Sequence, residues 1–391
     1  MTPRSAKFLV PSCALALALA ACNGGSEGGG EAGTSGSGGN GVAGQTGTGG
    51  VTGSGGRTGA GGIQGMGGVT AAGGAGGANT SDPLVGWAAQ SCTVGTVSTT
   101  TGGGSMTPMS VTTLSALNSA AAGTAARVIQ FSGSLSGTLT VGSNKTIIGA
   151  TGAKITGHIS LDHSSNVILQ NFTVVGLNCS DVPANGDCQD GADAVTVNGS
   201  SHHIWIDHLD VSDGSDGNLD VTDASDCVTI SWSKFHYSAT RVAGYTGEVH
   251  HFSNLVGADD AATGDAGHLR ITWHHDWWAD HVVERQPRVR FGQNHIFNNL
   301  WTSSGNNYCV AAAVSSNVLV ENNAFVNVKD TMDTTNYSNA ATIALMRNNV
   351  FSGTAAASAN KGTGVFTPPY PYTADDASTV QAAVMAGAGP H

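Results

Sequence analysis

Six aspartates, Asp210, Asp213, Asp216, Asp220, Asp223 and Asp226, lie within WIDHLDVSDGSDGNLDVTDASDCVTISW, from Trp205 to Trp232. Carboxylates crowded onto one short folded segment need a counter-charge, because uncompensated like charges out of water are costly. A metal ion is the natural candidate. Outside that stretch, which also holds Asp207, Asp193 precedes Asp216 by 23 residues, just ahead of the strand-like AVTV. Asp216 and Asp220 share parity with Asn218 and should face outward from a strand whose Leu219 and Val221 face in. Fully extended, their Cα atoms would stand ~13 Å apart, too far to share an ion, so a bend is expected at Gly217. Oxygen donors without His or Cys suit Ca²⁺, which accepts irregular coordination by carboxylates and water. An EF-hand is excluded, since no helical pattern flanks the loop and no Glu falls at its twelfth position. On spacing alone, a solvated acidic loop capping strand ends stays open.

The second constellation is ERQPRVRFG, Glu284 to Gly292, with three arginines in six residues of a chain holding only 15 basic residues. Val289 and Phe291 should face a core, leaving Arg288 and Arg290 pointing out, while Pro287 separates Arg285 from that strand. Arginine forks bind planar carboxylates bidentately, so this stretch reads as an anion-binding edge. The alternative is an arginine ladder paired with surface acids.

What could hold these groups in place is a repeat. Short β-type runs recur as NVILQNF, HIWIDHL, VTISWSKF, LRITWHHDWW, HIFNNLW, VLVENNAF and IALMRNNVF. Aligning the polar residue that ends each run gives Asn171, His208, Trp232, His275, Asn299, Asn323 and Asn349, in steps of 37, 24, 43, 24, 24 and 26 residues. A base period near 24 with insertions, and apolar alternation within each run, predicts an all-β solenoid, a parallel β-helix. Asn299, Asn323 and Asn349 should stack as an amide ladder. Short helices are expected over 111–122 and 378–386. A β-sandwich would turn every 8–12 residues and fits less well.

Residues 1–21 read as an export signal, with Arg4 and Lys7 before an apolar run. That run ends Leu19-Ala20-Ala21-Cys22, like a bacterial lipobox, so Cys22 is the expected lipidation site; plain cleavage after Ala21 is the alternative. Asn23 favours outer-membrane sorting by analogy. Residues 22–81, nearly all Gly, Ser, Thr and Ala, should form a flexible tether of roughly 40 Å r.m.s. span. The folded domain is expected over 82–391. The net charge of −12, without a basic stripe, argues against nucleic acid as partner. In an oxidising compartment Cys179 and Cys188 are expected to form a disulfide. Cys227 opens an apolar strand and reads as a small buried hydrophobe.

The two charged blocks resemble the signature stretches of the pectate lyase family, the calcium-dependent polysaccharide lyases of family 1. VGWAA, TGGG, RVIQFSG, SNKTIIGATGAKITG and the late AGAG extend the resemblance from Leu84 onward. It implies a right-handed parallel β-helix of the pectin-lyase type with short flanking helices. It implies Asp193, Asp216 and Asp220 as Ca²⁺ ligands, Arg285 as catalytic base, and Arg290 as a substrate-binding arginine with Arg288 beside it. Trp205, Asp207 and His208 would support the cleft from behind. Where the family carries a substrate-gripping lysine, this chain has Thr240 or Ala239, and the adjacent Arg241 is the candidate substitute. The implied activity is β-elimination on α-1,4-polygalacturonate by an exported monomer, either secreted or anchored through an N-terminal lipid. The rivals are a calcium-independent pectin lyase, a polygalacturonase, whose Asn-Thr-Asp and Gly-His-Gly motifs are absent, and a non-catalytic β-helical carbohydrate-binding or adhesion protein.

Overall fold

The computed structural model describes residues 83–92, 95–177, 192–238, 250–354 and 360–391. The expected signal peptide and tether, Cys22, the Cys179–Cys188 pair and Arg241 lie outside the described residues. Among the described residues, 23 strands hydrogen-bond into one continuous sheet, and the pairings between named strands are all parallel. The chain coils, and each strand lies beside its counterpart about one period on, so the expected parallel β-helix is the fold.

Three faces can be followed along the stack. One runs through His202–Ser212, Asp226–Ser231, Ile271–His274, Gln293–Phe297, Asn317–Glu321 and Ile343–Arg347. A second runs through the end of His202–Ser212, then Lys234–His236, Trp277–Trp278, Leu300–Trp301, Ala324–Val326 and Val350–Ser352. The third runs through Val195–Asn198, Leu219–Val221, Leu255–Val256, Arg288–Val289, Val310–Ala312 and Met332–Asp333. Successive side chains alternate between faces, so Ile204, Ile206, Val228, Ile230, Val318 and Val320 all point into the core with no exposure.

The interior is built in columns, because parallel in-register stacking puts like residues above like. Phe235, Trp278, Trp301, Phe325 and Phe351 form one such column, with ring centroids 5.7, 4.9, 4.4 and 5.5 Å apart. Offset stacking of this kind adds about 0.5–1.5 kcal/mol per pair beyond area burial. The asparagine ladder is present beside it. Asn323 Nδ2 donates to Asn349 Oδ1 (3.0 Å), and Asn299 Nδ2 donates to Asn323 Oδ1 (3.1 Å). It continues upstream through Asp276 and Ser233, since Asp276 N donates to Asn299 Oδ1 and Ser233 N to Asp276 Oδ1. Asn171, His208, Trp232 and His275 belong one position earlier, in a corner column with positive φ that Asn298, Asn322 and Asn348 complete. A one-residue offset in the alignment merged two columns. His208, Trp232 and His275 stack there, 5.9 and 4.2 Å apart, and the C-terminus lies against them through Gly389 N to Trp232 O (2.8 Å).

Both expected helices are present, the first shorter than expected at Leu114–Ala121 and the second one residue longer at each end at Ala377–Gly387. Thr113 and Asp376 cap them by accepting from Ala116 N and Ser378 N. Val111 instead ends the strand Met109–Val111. The first helix buries Leu117, Ala120 and Ala121 in the main core; the second lays Val380 and Val384 on Leu300 and Ala324. Cys227 corrects its expectation: it is buried, but disulfide-bonded to Cys92, tying the N-terminal segment to the stack.

The ladder carries a stability prediction. Asn323 is fully buried and makes four side-chain hydrogen bonds to the coils on either side. Asn323→Ala should cost about 1–3 kcal/mol, chiefly by orphaning buried partners. Unfolding in urea at the wild-type midpoint would contradict that.

Candidate active site

Sheet register assembles the acids. Thr196 pairs with Asp220 across the third face, and Ala194 N donates to Gly217 O (2.9 Å). Asp193 is thereby set beside Gly217, one coil from Asp220. The chain bends over residues 215–218, as the distance argument requires, and enters a strand only at Leu219. Gly217 is needed for room, since its φ is not left-handed. A Cβ there would stand 2.7 Å from Asp193 Oδ1 and 3.1 Å from Asp220 Oδ1. The two oxygens therefore flank the space a side chain at Gly217 would fill, within about 6 Å of each other. Asn218 departs from the expected outward face. It is fully buried and donates to His236 O and Ser253 Oγ.

The electrostatics of this pair are strained. Burial, and then the neighbouring Asp216, push Asp193 up to about 7, against a long hydrogen bond from Thr196 Oγ1 and the pull of Arg285. Burial and Asp193 push Asp220 well above the usual carboxylate range, opposed by Leu255 N–H (2.8 Å) and Arg285. Asp193 Oδ1 is buried without a hydrogen-bond partner. Asp216 is more open and lies 3.8 Å from His250 Nε2. An orphaned carboxylate oxygen, a second buried carboxylate and a third at the rim supply the oxygen chemistry that suits a hard divalent cation such as Ca²⁺, and their ligand atoms do not all lie within 4.8 Å of one another in this structure.

Arg285 precedes the strand Arg288–Val289, two coils along the same face from Leu219–Val221. Its backbone is left-handed (φ 56°), a conformation costing a non-glycine residue about 1–2 kcal/mol. Neighbours hold it there. Asn254 N donates to Arg285 O (2.7 Å), and Asn254 Nδ2 donates to Leu219 O (3.1 Å), so one asparagine links the acidic strand to the arginine turn. Trp278 Nε1 fixes Asn254 Oδ1 (2.7 Å), and Trp301 Nε1 donates to Gln286 O (3.0 Å). The aromatic column thus reaches the site directly. The Arg285 guanidinium lies over Phe252 (4.9 Å), and its Nε is buried without a partner.

Arg288 and Arg290 flank it differently. Arg288 lies 3.9 Å over the Tyr337 ring; burial, with Arg290 next, lowers its pKa. Arg290, expected to point out, is only 9% exposed at its side chain. Its Nε donates to Asp260 Oδ1 (2.6 Å) and its Nη1 to Gly257 O (2.8 Å). The sequence reading missed Asn254, His250, Asp260 and Tyr337. His250 and Asp260 carry no periodic signal, being in or beside insertions, whereas Asn254 precedes the short run Leu255–Val256 and was legible in principle. The remaining acids resolve into structure. Asp207 is fully buried, held by Gln170, Ser231 and His208. Asp210 pairs with His236, and Asp213 and Asp223 occupy left-handed turns. Asp226, expected in a turn, is instead a buried strand residue paired with Arg270.

A family model described as pectate lyase matches residues 66–390. The probable pectate lyase B of Aspergillus terreus is 34% identical over 260 residues, which is 62% of this chain and 71% of the relative. Pectate lyase E of Dickeya chrysanthemi is 34% identical over 48% of this chain and 50% of its own. A solved Bacillus subtilis pectate lyase, 22% identical, covers 78% of this chain and 96% of that chain at a TM-score of 0.62. A pectate lyase bound to hexasaccharide, also 22% identical with the same coverage, superimposes at 0.64. The structural likeness establishes the architecture. Together with the sequence relatives it makes this protein a polysaccharide lyase on a parallel β-helix. The chain belongs to the pectate lyase family.

The raised carboxyls set a pH dependence for the metal-free protein. Asp193, at about 7 when folded, lies above its unfolded value, so the folded state holds a proton that the unfolded state releases. Stability in chelator should therefore be fullest below about pH 4 as far as this group is concerned, and decline from there to about pH 7. Added Ca²⁺ at pH 8 should raise the melting temperature of the wild type but not of Asp193→Ala. Equal calcium responses in both proteins would contradict the pairing.

Proposed function

We propose that this chain is an exported, calcium-assisted pectate lyase that cleaves α-1,4-polygalacturonate by β-elimination to 4,5-unsaturated oligogalacturonides. The observation that carries the proposal is the buried pair Asp193 and Asp220 beside Gly217, with an unpartnered carboxylate oxygen on one side and Arg285 acting on both. A surface acidic loop would leave those oxygens in water. Asp193, Asp216 and Asp220 would hold the ion, which when bound supplies positive charge that neutralises a galacturonate carboxylate and acidifies its C5 proton.

The remaining work falls to the arginines. Arg285 takes the C5 proton, the C5–H electrons form the C4=C5 double bond, and the C4–O bond breaks with the oxygen leaving. Arginine must first give up a proton to serve as a base, which alkaline conditions favour. Arg288 and Arg290 offer forked donors to the uronate carboxylates on either side. Phe252 beneath the Arg285 guanidinium limits its freedom, which keeps the base aligned with the bond it acts on. Arg241, as the substitute for the family lysine, and Cys22, as the lipid anchor at the end of the 22–81 tether ahead of a domain over 82–391, complete the reading. An acidic protein then meets an acidic polymer through a bridging cation and three arginines.

The test is the ultraviolet absorbance of unsaturated uronate on polygalacturonate, with and without EDTA. Absorbance should grow, rise above neutral pH and vanish with chelator. New reducing ends without absorbance would make the protein a hydrolase. Chelator-insensitive cleavage of methyl-esterified pectin would make it a pectin lyase. Arg285→Ala should lower kcat by at least about a hundredfold while oligogalacturonate still binds. Full activity in that variant would remove Arg285 as the base. Asp220→Ala should weaken calcium affinity.

A further inference from the structure

Arg290 is the arginine assigned to substrate, yet a carboxylate of the protein itself already occupies it. Asp260 Oδ1 accepts from Arg290 Nε at 2.6 Å and lies 3.9 Å from Arg288 Nη2. Arg290 Nη1 is taken by Gly257 O, with Ala258 O further off at 3.4 Å. A bidentate carboxylate needs two adjacent N–H groups on one edge of the guanidinium. Here Nε on one edge and Nη1 on the other are each engaged, so neither edge is open to a second carboxylate. The side chain of Arg290 is 9% exposed, whereas that of Asp260 is 57% exposed. The acid is therefore the wet, displaceable partner, and the arginine is the fixed one.

The segment carrying Asp260 is placed to move. It follows Gly257, whose φ of 81° turns the chain away from the strand Leu255–Val256, and residues 258–261 are exposed. Beyond it, Asp265 ties the segment back through Ala224 N. Between those two anchors, the contacts of the Asp260 side chain are to Arg290 and Arg288.

We propose that Asp260 is an internal stand-in for a uronate carboxylate, a gate that must leave the Arg288–Arg290 pair before a galacturonate carboxylate binds there. The inference rests on the reading of Arg290 as substrate-binding. It makes Asp260 a specificity-determining residue that charges every substrate an exchange of one ion pair. Neutral or methyl-esterified sugars, which cannot replace the lost pairing, are selected against.

The test is calorimetric binding of trigalacturonate in excess Ca²⁺, which needs no turnover. An ion pair with one partner in solvent is weak, so Asp260→Asn should tighten Kd about two- to fivefold. Asp259→Asn is the control. It removes one negative charge from the same segment and keeps the acceptor for Ala261 N, but it has no arginine contact. That variant should change Kd far less. Asp260→Asn with an unchanged or weaker Kd overturns the gate, as does an equal gain in both variants, which would be net-charge repulsion alone. Arg290→Ala separates the two levels. If it weakens Kd while Asp260→Asn does nothing, only the gate falls. If it leaves Kd unchanged, the assignment of Arg290 falls and the gate with it.

Discussion

Two carboxylates that water would keep apart are pressed together by a sheet they cannot shift. Thr196 is locked beside Asp220, and Ala194 N to Gly217 O, by backbone hydrogen bonds that run in register with the rest of the stack. Sliding one coil to separate Asp193 from Asp220 would turn the side chains of that coil to the wrong face. Burial first, and then the charge of a neighbouring carboxylate, push both carboxyls up, and one oxygen is left without a partner. The arginines facing this site answer the same charge. Perturbed carboxyls gathered at one point with an arginine acting on both are the kind of electrostatics that active sites collect.

The arginine turn, two coils along the same face, depends on the core. Phe235, Trp278, Trp301, Phe325 and Phe351 stack along the interior, and two of the indoles spend their N–H groups on the arginine turn rather than on each other. Trp278 aims Asn254, and Asn254 binds both Arg285 O and Leu219 O. Positioning passes from the packed column to one buried amide, and from there to both sides of the site. The left-handed backbone at Arg285 is held by these contacts, which is how strain survives at a functional position.

Much of this was legible in the sequence, and the failures have physical causes. A period near 24 with alternating apolar residues is a global property of the chain, so the solenoid and its core-facing residues could be read directly. The ladder Asn299–Asn323–Asn349 followed from the same repeat. The alignment of run ends set His275 and Trp232 level with those asparagines, one residue off, because the corner column immediately before the ladder also carries polar residues and periodicity cannot separate columns one residue apart. Asp226 looks like a turn residue and Asn218 like an outward-facing strand residue, but their partners, Arg270 and Ser253, lie 44 and 35 positions away. Cys227 was read from its own strand, whereas its disulfide partner Cys92 is 135 residues upstream. Asp260 and His250 lie in or beside insertions, where no repeat constrains the chain. The acids and arginines were found as types; which of them are buried together was a matter of register.

Calcium titration followed by calorimetry, near pH 6.5 in buffers of different ionisation enthalpy, tests the central claim most directly. If Asp193 and Asp220 share the ion, binding must expel the protons their burial retains, because a ligating carboxylate is deprotonated. Binding should release about one proton or more per ion at that pH, and the release should fade as pH rises well above 7. Calcium binding with no proton release near neutrality, or the same release in Asp193→Ala, would contradict a site built on this carboxylate pair.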